Sequence, residues 1–346
     1  MASGLRLVGA VACLAALTVA AGCDRTPRGG AGTDRHLPGT RLDLPEGNLA
    51  VTAWLPDGWI YADWAKDLDS DSEIWRTAPG RQPSRVNLPV LADCLKTLYL
   101  LPHRLPDGRL GLVRFCTKDY PHQDRLDLVA YQPHTGQIQQ LLTLGNNNPS
   151  QVSWRRNMRT GYISVASGIC DGFAPLTRQG PVRFPRPVTL DGHTWRLDDP
   201  LFQPADTDCT PQGRASQATL TPDERHLVFA ASPESQGKTD FDRLDIPYHL
   251  YIQDLPNGTP RILDRNFSGI AGIDPAPDSR HLVAAGHRGG QNGVWIIDLT
   301  TGSAQTLLRA RAASPAYSPD GKQIAVIIRL DDKHSELRVI DVSDAS

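Results

Sequence analysis

Carboxylates at alternate positions, Asp67, Asp69, Asp71 and Glu73, are residues whose type and spacing could do chemistry. Alternate oxygen ligands of this kind open a calcium loop, so calcium is the cofactor this run would hold. The rest of an EF-hand pattern is missing: Ser72 stands at the sixth position, where the sharp turn takes Gly, and Ala78 at the twelfth, where a bidentate Glu is needed. More carboxylates gather at residues 119–127, at Asp240, Asp242 and Asp245, and at Asp331 and Asp332. Such a rim would attract a basic protein segment or a cation, although ordinary solvated loops carry the same residues. No G-x-S-x-G, H-E-x-x-H or P-loop occurs, and the 10 histidines are scattered. A formal net charge of -2 without a basic stripe excludes nucleic acid as an expected partner.

Cysteine chemistry is the more specific signal. Residues 7–20 form an apolar run too short to span a bilayer as a mature helix, and Ala20-Ala21-Gly22 precede Cys23. That is the pattern of a lipobox, with Ala20 where Leu is commonest. Residues 1–22 then read as a lipoprotein signal peptide and the Cys23 thiol as the acceptor of diacylglycerol; an ordinary signal peptide cut nearby is the other reading. Residues 23–38, rich in Gly, Pro and Arg, follow as a flexible tether. Cys94, Cys116, Cys170 and Cys209 form an even set suited to two disulfides in an exported domain, with three possible pairings. The Pro106-Asp107-Gly108 turn lies near the midpoint of Cys94 and Cys116, which favours Cys94–Cys116 and leaves Cys170–Cys209. Free thiols or a zinc site are the alternative, without a C-x-x-C knuckle to support them.

These groups must be positioned by strands, because no long 3.6-residue periodicity occurs in residues 39–346. Short apolar runs reach Pro-Asp turns at Asp57, Asp107, Asp223, Asp278 and Asp320 and leave as further apolar runs. Residues 314–342 show one whole unit: strand, tight turn, strand, polar loop, strand. Six such units, each built for four short strands, predict an all-β, six-bladed β-propeller. The sixth unit ends after its third strand. Residues 40–44 resemble the outer strand of the first unit and are expected to supply the missing one, closing the ring. The turns between first and second strands fall on one face. The acidic loops and the long insertion at residues 168–211 fall on the other.

Tyr317-Ser318-Pro319-Asp320-Gly321-Lys322-Gln323-Ile324-Ala325-Val326, with Leu337-Arg338-Val339-Ile340-Asp341, resembles the PD-type, WD-like repeat of the TolB family. The resemblance covers residues 49–342, strongly in units four to six and weakly in unit three. It implies an exported six-bladed propeller that binds other proteins, as TolB does through one end of its channel within an envelope complex. The extra α/β domain of TolB is not recognisable, and with the lipobox the chain reads as a surface lipoprotein of a GC-rich, Gram-positive bacterium. The expectation is a monomeric, non-enzymatic binding or scaffolding module, lipid-anchored on the extracytoplasmic side of the cell membrane, with an unidentified envelope protein as partner. The alternatives are a hydrolase or lyase with a metal or carboxylates at the channel mouth, and a sensor subunit of an envelope kinase or transporter.

Overall fold

The computed structural model describes residues 37–67, 70–117, 124–145, 149–165, 172–182, 188–190, 193–196, 203–204, 214–232 and 248–344. After β1 (Thr40–Leu42), the first unit comprises β2 (Asn48–Trp54), β3 (Ile60–Ala65), β4 (Glu73–Ala78) and β5 (Arg81–Arg85). The second comprises β6 (Lys96–Arg104), β7 (Leu110–Thr117), β8 (Asp124–Tyr131) and β9 (Ile138–Gly145). The third comprises β10 (Pro149–Trp154), β11 (Thr160–Val165), β12 (Gly172–Thr177) and β13 (Gly180–Pro181). A small sheet of β14 (Val188–Leu190), β15 (His193–Arg196) and β16 (Gln203–Pro204) occupies the insertion. There follow β17 (Arg214–Leu220), β18 (His226–Ser232), β19 (Tyr248–Asp254), β20 (Arg261–Pro275), β21 (His281–Arg288), β22 (Gln291–Asp298), β23 (Ala304–Leu308), β24 (Ala312–Tyr317), β25 (Gln323–Arg329) and β26 (Ser335–Asp341). The fold is an all-β propeller.

Each Pro-Asp turn is held by its own side chain. Asp57, Asp107, Asp223, Asp278 and Asp320 each accept, on Oδ1, the backbone N–H two residues on, at 2.8–3.2 Å, which is the Asx-turn reason for Asp at this position. The residue after it takes the left-handed region: Gly58 (φ 83°), Gly108 (83°) and Gly321 (73°), but Glu224 (62°) and Ser279 (59°) where Gly is absent. Unit three, degenerate in sequence, forms the same turn with Met158 at φ 55° and its N–H on the Arg155 carbonyl.

Units one, two and three form separate four-stranded sheets. Units four and five, expected as two sheets, are hydrogen-bonded into one of seven strands. The reason is β20, 15 residues long, whose first half pairs with β19 and whose second half pairs with β21. The long insertion also starts later than the sequence suggests, because its first part supplies β12 and β13 and completes unit three. In the last unit β1 pairs antiparallel with β26, Thr40 opposite Val339 and Leu42 opposite Leu337, as the fourth strand of β24-β25-β26-β1. The cores lie between sheets. Leu42, Leu49, Trp54, Ile60 and Ala62 pack on Ala316, Ala325, Ile327, Leu337 and Val339, so the first and last units share one apolar layer.

Candidate functional site

The inner strands β2, β6, β10, β17, β20 and β24 contact one another in that order, and β24 returns to β2. Together they line one central cavity of about 540 Å³, rimmed by the turn prolines Pro56, Pro106, Pro222, Pro277 and Pro319. Each inner strand breaks register, between Leu49 and Thr52, Leu100 and His103, Pro149 and Gln151, Ser216 and Thr219, Ile270 and Gly272, and Ala313 and Ala316. A bulge bends a strand and frees backbone groups from the ladder. The bend is sharp enough to place Leu101 (φ 51°), Gln217 (55°) and Ser314 (46°) in the left-handed region. At Gly272 (φ 151°) a side chain has no room, since a Cβ there would lie 2.9 Å from the Ser314 backbone nitrogen.

The freed inner-edge N–H groups need acceptors, and side chains of the preceding unit supply them. Asp63 Oδ2 accepts Leu101 N–H at 3.3 Å, Ser164 Oγ accepts Ala218 at 2.9 Å and Ser153 Oγ accepts Leu220 at 3.0 Å. Asp274 Oδ2 accepts Tyr317 at 2.8 Å, and Ser314 Oγ accepts Thr52 at 2.8 Å. These bonds stitch unit to unit around the cavity.

Two of the titratable groups here oppose each other in pH dependence. Burial pushes the Asp63 carboxyl up to about 6 from 3.8, against the Leu101 N–H and the Ser72 hydroxyl. Its contribution to stability is full below pH 3.8 and is lost as pH rises through about 6; a shift of that size corresponds to ~3 kcal/mol. Burial lowers His103 from 6.5 to about 4, although its Nδ1–H donates to the Leu101 carbonyl at 3.0 Å, so its contribution is lost as pH falls through that window. Urea titrations should therefore find Asp63→Asn more stabilising, relative to the parent chain, at pH 7.5 than at pH 4 by up to ~3 kcal/mol, and His103→Asn shifted the opposite way. Differences independent of pH would rule out this assignment.

The cavity also holds Arg104, Arg156, Glu224, Asp274 and Gln151. Gln151 Nε2 donates to the Ile273 carbonyl at 3.3 Å, joining unit three to unit five past unit four. Arg156 Nη2 donates to the Pro222 carbonyl at 2.8 Å, its backbone N–H donates to Glu224 Oε1, and Arg155 lies 3.5 Å from Glu224 Oε2.

The chain is 30% identical over 84 residues to the Tol-Pal system protein TolB of Francisella tularensis subsp. mediasiatica, 23% of this chain and 19% of that protein, so it spans about a fifth of the length of the curated relatives it matches. The chain is a TolB-like β-propeller. A solved PQQ-bound aldose sugar dehydrogenase from Streptomyces coelicolor superposes with a TM-score of 0.50 at 13% identity, over 87% of this chain and 96% of that one, a likeness of fold alone. TolB from Acinetobacter baumannii gives 0.48 at 16% identity, over 78% and 61% of the two chains. No family model matches.

In this TolB-like propeller those sequence-derived candidates that fall among the described residues lie away from the cavity. Asp71 pairs with Lys96 Nζ. Glu73 accepts Trp75 Nε1–H at 3.0 Å and lies 3.0 Å from Arg85 Nη1, while Asp67 Oδ1 accepts the Ser70 hydroxyl at 2.6 Å. Among the described residues the one group of three potential ligand atoms within 4.8 Å is Asp93, Cys94 and Cys116. Both of its sulfurs are in a disulfide, Cys94–Cys116, with Cα atoms 5.4 Å apart. Asp331 caps the β25–β26 loop by accepting the Lys333 and His334 N–H groups at 2.7 and 2.8 Å, and Asp332 lies 3.8 Å from Arg311. Cys23, Asp69, Cys170, Cys209, Asp240, Asp242 and Asp245 lie outside the described residues.

The cavity residues escaped the sequence reading, yet a signal for one of them exists. Aligned on the turns, Arg104 shares a position with Trp54, Trp154, Leu220, Pro275 and Tyr317, whereas Asp274 shares a mixed one with Ala53, His103, Ser153, Thr219 and Ala316. A charge in an otherwise apolar repeat position is the mark to look for.

Proposed function

We propose that this chain is a six-bladed propeller of the cell envelope, anchored through Cys23, that acts without catalysis as a protein-binding module at the mouth of its central cavity. The blade count takes the seven-stranded sheet as two blades sharing β20. It is supported by the six inner strands that contact one another in a closed circuit. The observation that carries the binding reading is the cavity itself, walled largely by Pro, Ala, Val, Leu and Trp and rimmed by the Pro-Asp turns. A concave, mainly apolar site with a few polar groups is what recognition requires. The reading moves the binding face from the acidic loops to the opposite end of the channel. TolB of Francisella is named for the Tol-Pal system, and an envelope partner here is an extension of that likeness.

The test is a photo-crosslinking residue placed at Pro106 or Pro277 on the rim, with Arg81 or Gln305 on outer strands as controls, in intact cells. One partner protein captured from both rim positions and from neither control is the expected result. Equal capture from rim and outer strands, or none from the rim, would refute it.

A further inference from the structure

Arg104 is the group in the cavity that the fold leaves unexplained. It stands at the end of β6, three residues from the bulge at Leu101 and next to the Pro106 turn, and it lines the cavity. Among the described residues its guanidinium makes no hydrogen bond and no ion pair within 4.0 Å, whereas Arg114, Arg156, Arg288 and Arg338 are all engaged. Asp274, contributed by unit five from the other side of the ring, feels its charge. Five fixed donors without an acceptor, in a cavity whose lining includes Leu101, Pro102, Pro315 and Ala316, are an arrangement complementary to an anion with an apolar body.

The other charged groups of the cavity do not serve Arg104. Glu224 is held by the Arg156 N–H and by Arg155. His103 stays neutral on the Leu101 carbonyl, burial having lowered it to about 4. The Tyr317 hydroxyl is pushed further into its neutral range by burial and by Asp274. Asp274 is the carboxylate that competes for Arg104, and it already receives the Tyr317 N–H.

The geometry points to Arg104 as the anchor for a carboxylate-bearing ligand with an apolar body, held between the proline turns, with Asp274 as the competing carboxylate that weakens binding when ionised. This rests on the cavity being a binding site, and it fixes the chemistry of what is bound there: an acidic side chain or C-terminal carboxylate of a partner segment, rather than a basic one. Burial raises the Asp274 carboxyl to about 6, so the competition is relieved on mild acidification.

The probe is 4-fluorobenzoate, with 4-fluorobenzamide as its uncharged counterpart, observed by fluorine NMR in the presence of the full chain. The benzoate is expected to bind at least tenfold more tightly than the amide, and more tightly at pH 5.5 than at pH 7.5. Arg104→Gln should lose at least tenfold and Arg104→Lys should recover part of it. Asp274→Asn should bind at pH 7.5 as the parent chain does at pH 5.5. A thermal melt of each variant checks that it is folded, and the Arg104→Lys comparison keeps the test decisive if Arg104→Gln is not. Equal binding of benzoate and benzamide overturns the charge assignment and leaves the cavity as a binding site. Inorganic phosphate displacing benzoate at equal concentration overturns the requirement for an apolar body. If neither probe binds while the rim crosslinks succeed, the anion site falls and the partner reading stands. If the rim crosslinks fail but benzoate binds through Arg104, the partner reading falls and the anion site stands.

Discussion

A chain that begins after residue 44 is expected to unfold roughly 6–10 °C below the parent chain in a thermal melt. The segment it lacks is small, but its contacts are concentrated. Leu42 is 5% exposed and packs with Leu337 and Val339 in the layer shared by the first and last units. Arg338 Nη1 donates to the carbonyls of Leu37, Pro38 and Gly39 at 2.8, 3.3 and 3.2 Å, and Gly39 takes φ 82° because a Cβ would lie 2.4 Å from the Val339 carbonyl oxygen. Losing a buried leucine costs ~2–5 kcal/mol, and the unpaired edge of β26 would be left open to other chains. A total on the order of 5 kcal/mol moves the midpoint by roughly 6–10 °C in a domain of about 300 residues. Leu42→Ala alone should account for about half of the loss. Arg41→Ala should change little, since its side chain is 62% exposed and only 3.6 Å from Glu336, which Arg338 already holds. A truncated chain that melts with the parent would show that β1 decorates the ring and does not close it.

The second large effect is expected at Asp127, deep in the second unit. Its side chain is fully buried and takes Arg114 Nη2 at 2.8 Å, Arg125 Nε at 3.0 Å and the Thr143 hydroxyl at 2.7 Å. Among the described residues Arg114, 8% exposed at its side chain, meets no second carboxylate, but Gln140 at 2.9 Å and the Tyr99 hydroxyl. Asp127→Ala thus strands a buried guanidinium, which costs ~3–5 kcal/mol. Asp127→Leu combined with Arg114→Met should cost clearly less than Asp127→Ala alone, because no charge is then left behind. Burial by itself would raise the Asp127 carboxyl, but hydrogen bonds from Arg114, Thr143 and Arg125 hold it below its ordinary 3.8. Its contribution is therefore present above pH 3.8 and lost as pH falls through the lower folded value. Urea midpoints at pH 7, and acid titrations of parent and variant, check both statements. A double variant as unstable as Asp127→Ala would mean that the cost lies in packing and not in the unpaired charge.

Much of the architecture is legible without coordinates because its causes are local. An Asp that accepts the N–H two residues on makes a turn wherever it falls, so Asp57, Asp107, Asp223, Asp278 and Asp320 mark the hairpins. The pairing of residues 40–42 with β26 follows from a unit that lacks a strand and a spare strand that fits it. The Cys94–Cys116 disulfide follows from two cysteines flanking a hairpin turn. By contrast, the fusion of units four and five depends on β20 running unbroken from one blade into the next, and no residue type announces that.

The site shows the same division more sharply. Runs of acidic residues are conspicuous in a sequence, and they drew attention to Asp71 and Glu73, which the fold pairs with Lys96 and Arg85. Arg104 and Asp274 are 170 positions apart and single in their surroundings, so nothing local connects them. By itself the sequence determined the strand repeat, the turns and the strand that completes the last sheet, since each depends on hydrogen bonds and apolar alternation within a few residues. Only the tertiary structure decided where the cavity lies and which charges face it. Ring closure brings opposite units together, and the register breaks of the six inner strands shape the space between them.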